Sequence, residues 1–299
     1  MTEFRLPPFE TAALLVKDKL RASGLGIFSL SALRCLVDAA ITPWPYDGRR
    51  PSSSQVIEKL IEEKVIRHLI VKSHGYTDIS RYAFGSISIM ELAASLKSNA
   101  YLSHWSAANI HSLSQLRSPT IYVNKEQSKK PPPKGPLSQA AIDRAFANRQ
   151  RRSKFVFEYE AQTFTILNGK HTEHSGVIEV PIGSRDIRVT NVPRTLIDIT
   201  VRPGYAGGVT HVAEVFRSAV DKIDIDALLQ TLQDIDHKYP FHQALGYYLT
   251  LAGIPQSQLA PLRAIGIKHK FYLDYGMSNP RLDDTWQVYV PADLTKVAS

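Results

Sequence analysis

The stretch NVPRTLIDITVRPGYAGG at residues 191–208 constrains the fold more than any other part of the chain. Pro193 suits the first turn of a helix and Pro203 cannot continue one, so the apolar residues between them are predicted to form a short, buried helix. Arg194 and Asp198 lie four residues apart on one face, but with the cation first, which is the weaker order for stabilising an isolated helix. We therefore expect this pair to serve a tertiary contact. The glycines that follow permit a tight turn into a second helix.

Four other segments are notable, one before this stretch and three after it. They are YLSHWSAANIHSL at 101–113, YPFHQALGYYLTLAGI at 239–254, FYLDYGM at 271–277 and WQVYVPADL at 286–294. Together the five segments resemble the AbiEi family, whose members are antitoxins of type IV toxin–antitoxin pairs. The resemblance implies an N-terminal winged helix-turn-helix that represses its own operon and a C-terminal domain that neutralises a nucleotidyltransferase toxin.

Composition indicates an ordinary globular protein. The 299 residues are 43% apolar and 21% charged, which is enough for two domains with separate cores. The sequence contains neither an apolar run long enough to span a membrane nor a secretory signal, so we expect a cytoplasmic protein with no membrane partner. Cys35, the single cysteine, lies in the apolar run SALRCLVDAA and is predicted to be a buried structural thiol. We expect no cofactor.

Positive charge is concentrated in the first half of the chain. Residues 1–90 carry 12 Lys and Arg against 9 Asp and Glu, and residues 125–154 carry 9 against 2. Residues 155–299 carry 13 against 16. This asymmetry is typical of a protein in which one half of the chain faces nucleic acid and the other half faces a neutral or acidic partner.

Three helices and a β-hairpin are predicted for the first 90 residues. The helices cover 9–22, a segment capped by Ser29 or Ser31 and ending near Ala40, and a segment that begins with Ser52 and Gln55 in capping-box spacing. The hairpin joins strands at about 67–72 and 81–84. This order of elements predicts a winged helix, which places its third helix in the major groove of DNA.

The predicted DNA contacts are polar and basic side chains of the third helix and of the wing. They are Arg49, Arg50, Ser52, Ser53, Ser54, Gln55 and Lys59 around the helix, and Lys72, His74, Tyr76 and Arg81 on the wing. Because one such module is only weakly basic, we expect paired or inverted operator sites and a dimer on DNA. The alternative is a protein-interaction module, since nearby carboxylates dilute the positive field.

A connector is predicted between the two halves, with a helix that Ser138 caps and that runs to Gln150. It carries a basic patch, defined as Lys129, Lys130, Lys134, Arg149, Arg151, Arg152 and Lys154. Two interpretations are open for this patch: an electrostatic clamp on DNA or on the toxin or its RNA substrate, and a solvated linker. His104, Trp105 and His111 lie further upstream and are predicted to be packing residues, because they lack the carboxylates or cysteines of a metal site.

From Phe155 onward the pattern changes to strands and then to helices, which predicts a mixed α+β domain. Asn168 and Gly169 indicate a hairpin turn. No spacing of carboxylates and lysines resembles a metal-dependent nuclease, so we expect neither metal nor catalysis. The predicted organisation is a winged helix at 1–90, a connector at 91–154 and an antitoxin domain at 155–299. The predicted function is antitoxin and autorepressor, with operator DNA and a nucleotidyltransferase toxin as partners. The alternatives are a regulator without a toxin and a DNA-processing enzyme.

Overall fold

The structure is a computed structural model, and it describes residues 8–44, 50–131, 135–183 and 185–294. The chain forms two compact units. Unit 1 comprises residues up to 98 together with 157–161 and 181–185. Unit 2 comprises residues 99–156, 162–180 and those from 186 onward. Helices and strands are mixed along the chain, which is a mixed α+β fold.

The helices are α1 Pro8–Ala22, α2 Leu30–Ile41, α3 Ser53–Glu62, α4 Ile89–Ser95, α5 His104–Ile110, α6 Gln139–Phe146, α7 Val192–Val201, α8 Val209–Ser218, α9 Ile225–Ile235, α10 Phe241–Leu251 and α11 Ala260–Ala264. The strands are β1 Ile27–Phe28, β2 Ile66–Ser73, β3 Ile79–Phe84, β4 Tyr101–Leu102, β5 Thr120–Glu126, β6 Val156–Tyr159, β7 Gln162–Gly169, β8 Val177–Ile182, β9 Arg185–Thr190, β10 Phe271–Tyr272, β11 Arg281–Asp283 and β12 Val288–Val290. None of the described helices is both long enough and apolar enough to cross a membrane.

Unit 1 contains the helices and the hairpin predicted for the first part of the chain. Ser29 caps α2 by accepting a hydrogen bond from the backbone amide of Ala32, and Ser52 caps α3. Strands β2 and β3 pair in antiparallel register from Ile66 opposite Phe84 to Val71 opposite Ile79. The strand order is β1-β3-β2-β6, and every adjacent pair is antiparallel. The predicted caps and strand positions are therefore confirmed.

The core of unit 1 lies between α1, α2, α3 and the sheet. Its buried side chains include Ala12, Val16, Leu20, Leu33, Val37, Val56, Leu60, Ile66 and Tyr82. Cys35 is exposed, so the prediction of a buried thiol is wrong. The reason is helical geometry: Leu33 and Val37 occupy the buried face of α2, and Cys35 lies midway between them on the opposite side of the helix.

The strand order in unit 2 is β7-β5-β4-β9-β8. Strands β5 and β7 run parallel, from Thr120 opposite Thr163 to Glu126 opposite Gly169. Asn168 and Gly169 therefore lie inside β7, and the predicted hairpin turn at these residues is wrong. Partner strand β5 continues the hydrogen-bonded ladder through them, a tertiary contact that outweighs the local preference for a turn.

Helices α5 to α11 and a three-stranded sheet of order β10-β12-β11 complete unit 2. Their shared core is aromatic, with Trp286, Tyr248, Phe216 and Phe271 fully buried. Ser138 caps α6 as predicted, but the helix ends at Phe146 rather than at Gln150. The Phe146 carbonyl accepts a hydrogen bond from the Gly276 amide at 2.8 Å, so a contact distant in sequence satisfies the end of α6.

Arg194 and Asp198 form the tertiary contact that their order predicts. Both side chains are buried, and the Arg194 Nε donates to Asp198 Oδ1 at 2.9 Å. The remaining guanidinium nitrogens donate to Thr172 Oγ1, the Ser175 carbonyl and the Tyr101 hydroxyl at 2.7–3.3 Å. Burial alone would lower the pKa of Arg194, but Asp198, Tyr101 and Glu126 together outweigh it and raise this pKa above its ordinary value. The pair ties α7 to the chain around β4 and to the turn before β8.

Candidate nucleic-acid interface

The N-terminal end of α3 is a solvent-facing group of small polar side chains. Ser52, Ser54 and Gln55 are exposed and Ser53 is half-buried. A capping box orders this end of the helix. The backbone amide of Gln55 donates to Ser52 Oγ at 3.3 Å, and the backbone amide of Ser52 donates to Gln55 Oε1 at 3.0 Å. Arg50 is exposed just before the helix, whereas Arg49 lies outside the described residues. This end of α3 thus presents hydroxyls, an amide and one described cation.

Positive charge along α3 is partly compensated. The Lys59 ammonium lies 3.7 Å from the Glu62 carboxylate and 3.9 Å from that of Glu63. Both carboxylates belong to the same helical face one turn further on, the usual geometry of weak surface pairs. Lys59 can therefore contribute less to phosphate binding than its formal charge suggests.

The predicted wing residues separate into two groups. Lys72, His74 and Tyr76 are exposed near the tip of the β2–β3 hairpin. Lys72 Nζ lies 3.0 Å from Asp78 Oδ2. The Ser73 amide and the Lys72 ammonium lower the pKa of Asp78, so this carboxylate stays charged beside the tip. His74 Nε2 lies 3.0 Å from Glu158 Oε1 on β6. At the hairpin tip, Lys72 and His74 thus each lie beside a carboxylate.

Arg81 forms the second group by itself. Its guanidinium donates to the Ser95 carbonyl at 2.6 and 3.0 Å and to the Leu96 carbonyl at 2.9 Å. These carbonyls end α4, where a cation is favoured by the helix dipole. Burial lowers the pKa of Arg81, and the side chain remains a cation held inside unit 1. The structure therefore does not place Arg81 with the exposed wing residues.

The described members of the basic patch lie in unit 2, and hydrogen bonds hold the backbone of the segment at residues 149–154. Arg149, Arg151, Arg152 and Lys154 are exposed. The Tyr205 hydroxyl donates to the Arg151 carbonyl at 3.2 Å and accepts from the Ser153 amide at 2.7 Å. The side-chain carbonyl of Gln150 accepts from the Gly204 amide at 3.0 Å. The backbone is thus anchored to the turn after α7 while four cations face solvent.

The other members of the patch follow β5. Lys129 lies 4.0 Å from the Glu173 carboxylate, and the Lys130 ammonium donates to the side chain of Gln127. Lys134 lies outside the described residues. The charges at this end are therefore closer to acidic or polar partners than those at residues 149–154.

His104, at the start of α5, and His111, which follows its last residue, have packing roles. His104 is buried with Nδ1 2.9 Å from Ser103 Oγ, and its ring meets that of Tyr205 edge to face. His111 Nε2 lies 2.6 Å from the Thr190 carbonyl. Burial lowers the pKa of His104 to about 4, so the ring is neutral at pH 7. No group of three His, Cys, Asp or Glu side chains is placed to hold a metal ion within the described residues.

Four cations that the sequence analysis did not single out also converge in unit 1. Lys17 and Arg21 on α1 line one cavity together with Lys64 and Arg67. A signal was present in the sequence, because Lys17 and Arg21 are four residues apart and so share a helical face. Their convergence with the cations after α3 depends on tertiary packing.

Comparison with known proteins supplies a fold and no family. No protein-family model matches the sequence, and no curated protein matches it. Among solved structures, the crystal structure of the RV2827C protein from Mycobacterium tuberculosis is similar to this one, with a TM-score of 0.55. The similarity covers 99% of this chain and 96% of that chain at 14% sequence identity. At this identity the likeness concerns the fold alone.

Proposed function

We propose that this protein is an antitoxin and transcriptional autorepressor of a type IV toxin–antitoxin system. In this proposal unit 1 binds operator DNA as a winged helix, and the C-terminal part of the chain neutralises a nucleotidyltransferase toxin. The observation that carries the DNA-binding part is the exposed, capped N-terminal end of α3, preceded by two helices and followed by the antiparallel β2–β3 hairpin. Such an arrangement suits a recognition helix in the major groove, with the hairpin against the backbone.

The side chains at this end suit base readout better than strong phosphate binding. Hydroxyls and an amide can hydrogen-bond to base edges, whereas affinity for DNA depends mostly on cations that neutralise phosphates. Arg50 is the one described cation directly before α3, and Lys72 and His74 have acidic neighbours. One copy of unit 1 would therefore bind weakly, which supports a dimer on paired operator sites.

The cations at residues 149–154, whose backbone is held in place, are a further source of affinity. Because the Tyr205 hydroxyl holds the Arg151 carbonyl and the Ser153 amide, the cations start from a fixed backbone and lose less conformational freedom on binding. This supports the interpretation of the patch as a clamp on nucleic acid or on an acidic protein surface, rather than as a solvated linker. The toxin-neutralising role itself derives from the sequence resemblance to the AbiEi family.

Binding to the promoter of the protein's own gene tests the DNA-binding part. We expect the double variant Arg50→Ala, Ser54→Ala to weaken binding of full-length protein at least tenfold and to reduce the slope of log K against log salt by about 1, the effect of about one lost phosphate contact. A matched control, Arg34→Ala with Ser31→Ala, removes the same residue types from the exposed face of α2. Equal weakening by the control, or equal affinity for promoter and unrelated duplexes, would contradict a recognition role for α3.

Co-expression with the neighbouring gene product tests the antitoxin part. Full-length protein should restore growth in the presence of that product, and the Arg50→Ala, Ser54→Ala variant should restore it equally well. A non-toxic neighbour, or no rescue by the full chain, leaves the regulator without a toxin as the better account. Metal-dependent cleavage of plasmid DNA by the purified protein would instead favour the DNA-processing enzyme.

A further inference from the structure

A cavity of about 350 Å³ in unit 1 carries four positive charges. Lys17 and Arg21 reach it from the last turns of α1, Lys64 from the turn after α3, and Arg67 from the start of β2. We call it the basic cleft. A sphere of this volume is about 9 Å across, which is about one Debye length at physiological salt, so salt weakens the repulsion among the four charges without abolishing it.

The charge of the basic cleft has little local compensation. None of the described residues that line it is acidic. Arg21 lies 3.3 Å from the Asp18 carboxylate, but this pair is on the surface, with 70% and 76% of the two side chains exposed, so the interaction is weak. Arg67 donates to the Gly85 carbonyl at 3.2 Å, which holds its guanidinium at the cleft without reducing its charge.

The backbone at Lys64 is unusual. Lys64 has a φ of 57°, a left-handed conformation that is uncommon for a lysine and directly follows the residue that caps α3. Asn or Gly is the usual residue in this conformation. The left-handed conformation at this position costs more free energy for lysine than for glycine. The lysine found there nevertheless lines the basic cleft.

The lining of the basic cleft also includes apolar residues. Val65 and Phe84 line the cleft and also pack against the core of unit 1. A lining that combines four cations with an aromatic residue suits a ligand that has both a polyanionic group and a flat apolar ring. The volume falls at the lower end of the range for small-molecule sites, which is about 300–1,000 Å³.

We propose that the basic cleft binds a nucleotide, with its phosphates among the four cations and its base against Phe84. A phosphate chain would relieve the mutual repulsion of Lys17, Arg21, Lys64 and Arg67. The site is separate from the proposed DNA interface, because Lys64 follows the C-terminal end of α3 whereas Ser52 caps the other end, about 15 Å away for a ten-residue helix. The proposal goes beyond the proposed function and does not depend on it.

Calorimetric titration of full-length protein with ADP, inorganic pyrophosphate and adenosine tests the proposal. We expect ADP to bind with a stoichiometry of one per chain, pyrophosphate to bind more weakly, and adenosine to bind at least tenfold more weakly than ADP. Lys17→Ala with Arg21→Ala should weaken ADP binding at least tenfold. The control Lys19→Ala with Arg34→Ala removes two exposed cations of unit 1 that do not line the cleft, and it should leave ADP binding unchanged.

A second variant guards against a folding defect. Lys64→Asn keeps a residue type that tolerates the left-handed backbone, and it should weaken ADP binding severalfold while the thermal transition stays within a few degrees of wild type. No difference between wild type and both cleft variants in ADP binding would overturn the proposal. Equal weakening by the control would also overturn it.

A non-specific DNA duplex separates the two sources of phosphate. If the cleft variants lose affinity for the duplex while ADP neither binds nor competes, the cleft is a backbone contact and the nucleotide proposal is wrong. If ADP binds the cleft while wild type shows no promoter binding, the proposed DNA-binding function fails and the nucleotide site stands. If wild type binds the promoter but not ADP, the nucleotide proposal is wrong and the proposed DNA-binding function stands.

Discussion

Replacing Arg194 by alanine is expected to destabilise unit 2 strongly. The Arg194 side chain is 3% exposed and makes one ion pair and three further side-chain hydrogen bonds. Its removal leaves the Asp198 carboxylate buried, with Oδ2 already lacking a hydrogen-bond partner within the described residues. Breaking a buried pair by deleting one partner costs about 3–5 kcal/mol, because a charge remains in a poorly solvating environment. For a domain of this size that corresponds to a fall in Tm of roughly 10 °C.

Urea unfolding followed by circular dichroism measures this cost. Arg144→Ala is the matched control, since Arg144 is an exposed arginine on α6, and it should cost less than about 1 kcal/mol. The double variant Arg194→Met, Asp198→Leu removes both charges and should recover part of the loss, so the two single effects should not add. An Arg194→Ala variant within 1 kcal/mol of wild type would refute this account of the buried pair. Strictly additive effects of the two substitutions would also refute it.

Three further predictions concern pH and packing. His104 should contribute a loss of about 3 kcal/mol of stability as pH drops from 6.5 to 4, because the unfolded chain protonates it near 6.5 whereas burial lowers its pKa in the fold to about 4. Burial lowers the pKa of His237 to about 4 as well, so His237 should add to the same loss. His104→Asn, which suits the φ of 54°, should therefore reduce this dependence without abolishing it in pH-resolved melts. Burial opposes ionisation of Glu91, but the Ser88 amide and the Arg185 guanidinium lower its pKa below the ordinary 4.5, so its stabilisation is present above pH 4.5 and lost below it; unchanged acid unfolding in Glu91→Gln would count against the pair. Gly246→Ala places a Cβ 2.4 Å from the Trp286 ring and should cost about 1–3 kcal/mol in urea unfolding despite the better helix propensity of alanine; a neutral result would mean that the ring can move.

Local chemistry accounts for what the sequence predicts well. Ser29, Ser52 and Ser138 each cap a helix through a side-chain bond to a backbone amide three residues later, a signal contained in four residues. The order of Arg194 and Asp198 likewise indicated a tertiary contact, because the pair is placed poorly for helix stability alone. Such features can be inferred without knowledge of the rest of the chain.

Features that depend on distant partners were not predictable in the same way. The ladder between β5 and β7 overrides the turn preference of Asn168 and Gly169, and the approach of Gly276 satisfies the early end of α6. The exposure of Cys35 depends on which face of α2 carries this residue, and its apolar neighbours in the sequence do not indicate that face. At the candidate interface, the bonds of Arg81 to α4 and the convergence of the basic cleft likewise require packing between separate elements.

The make-up of unit 1 has a consequence for how this protein can evolve. Its first 98 residues are completed by 157–161, where β6 pairs with β2, and by 181–185, where Arg185 reaches Glu91 and the Gly24 carbonyl. A gene segment encoding only the beginning of the chain would omit both supports. Exchange of this part between related genes as a single cassette is therefore disfavoured. New binding preferences in unit 1 should arise by point substitution on a retained scaffold rather than by domain shuffling.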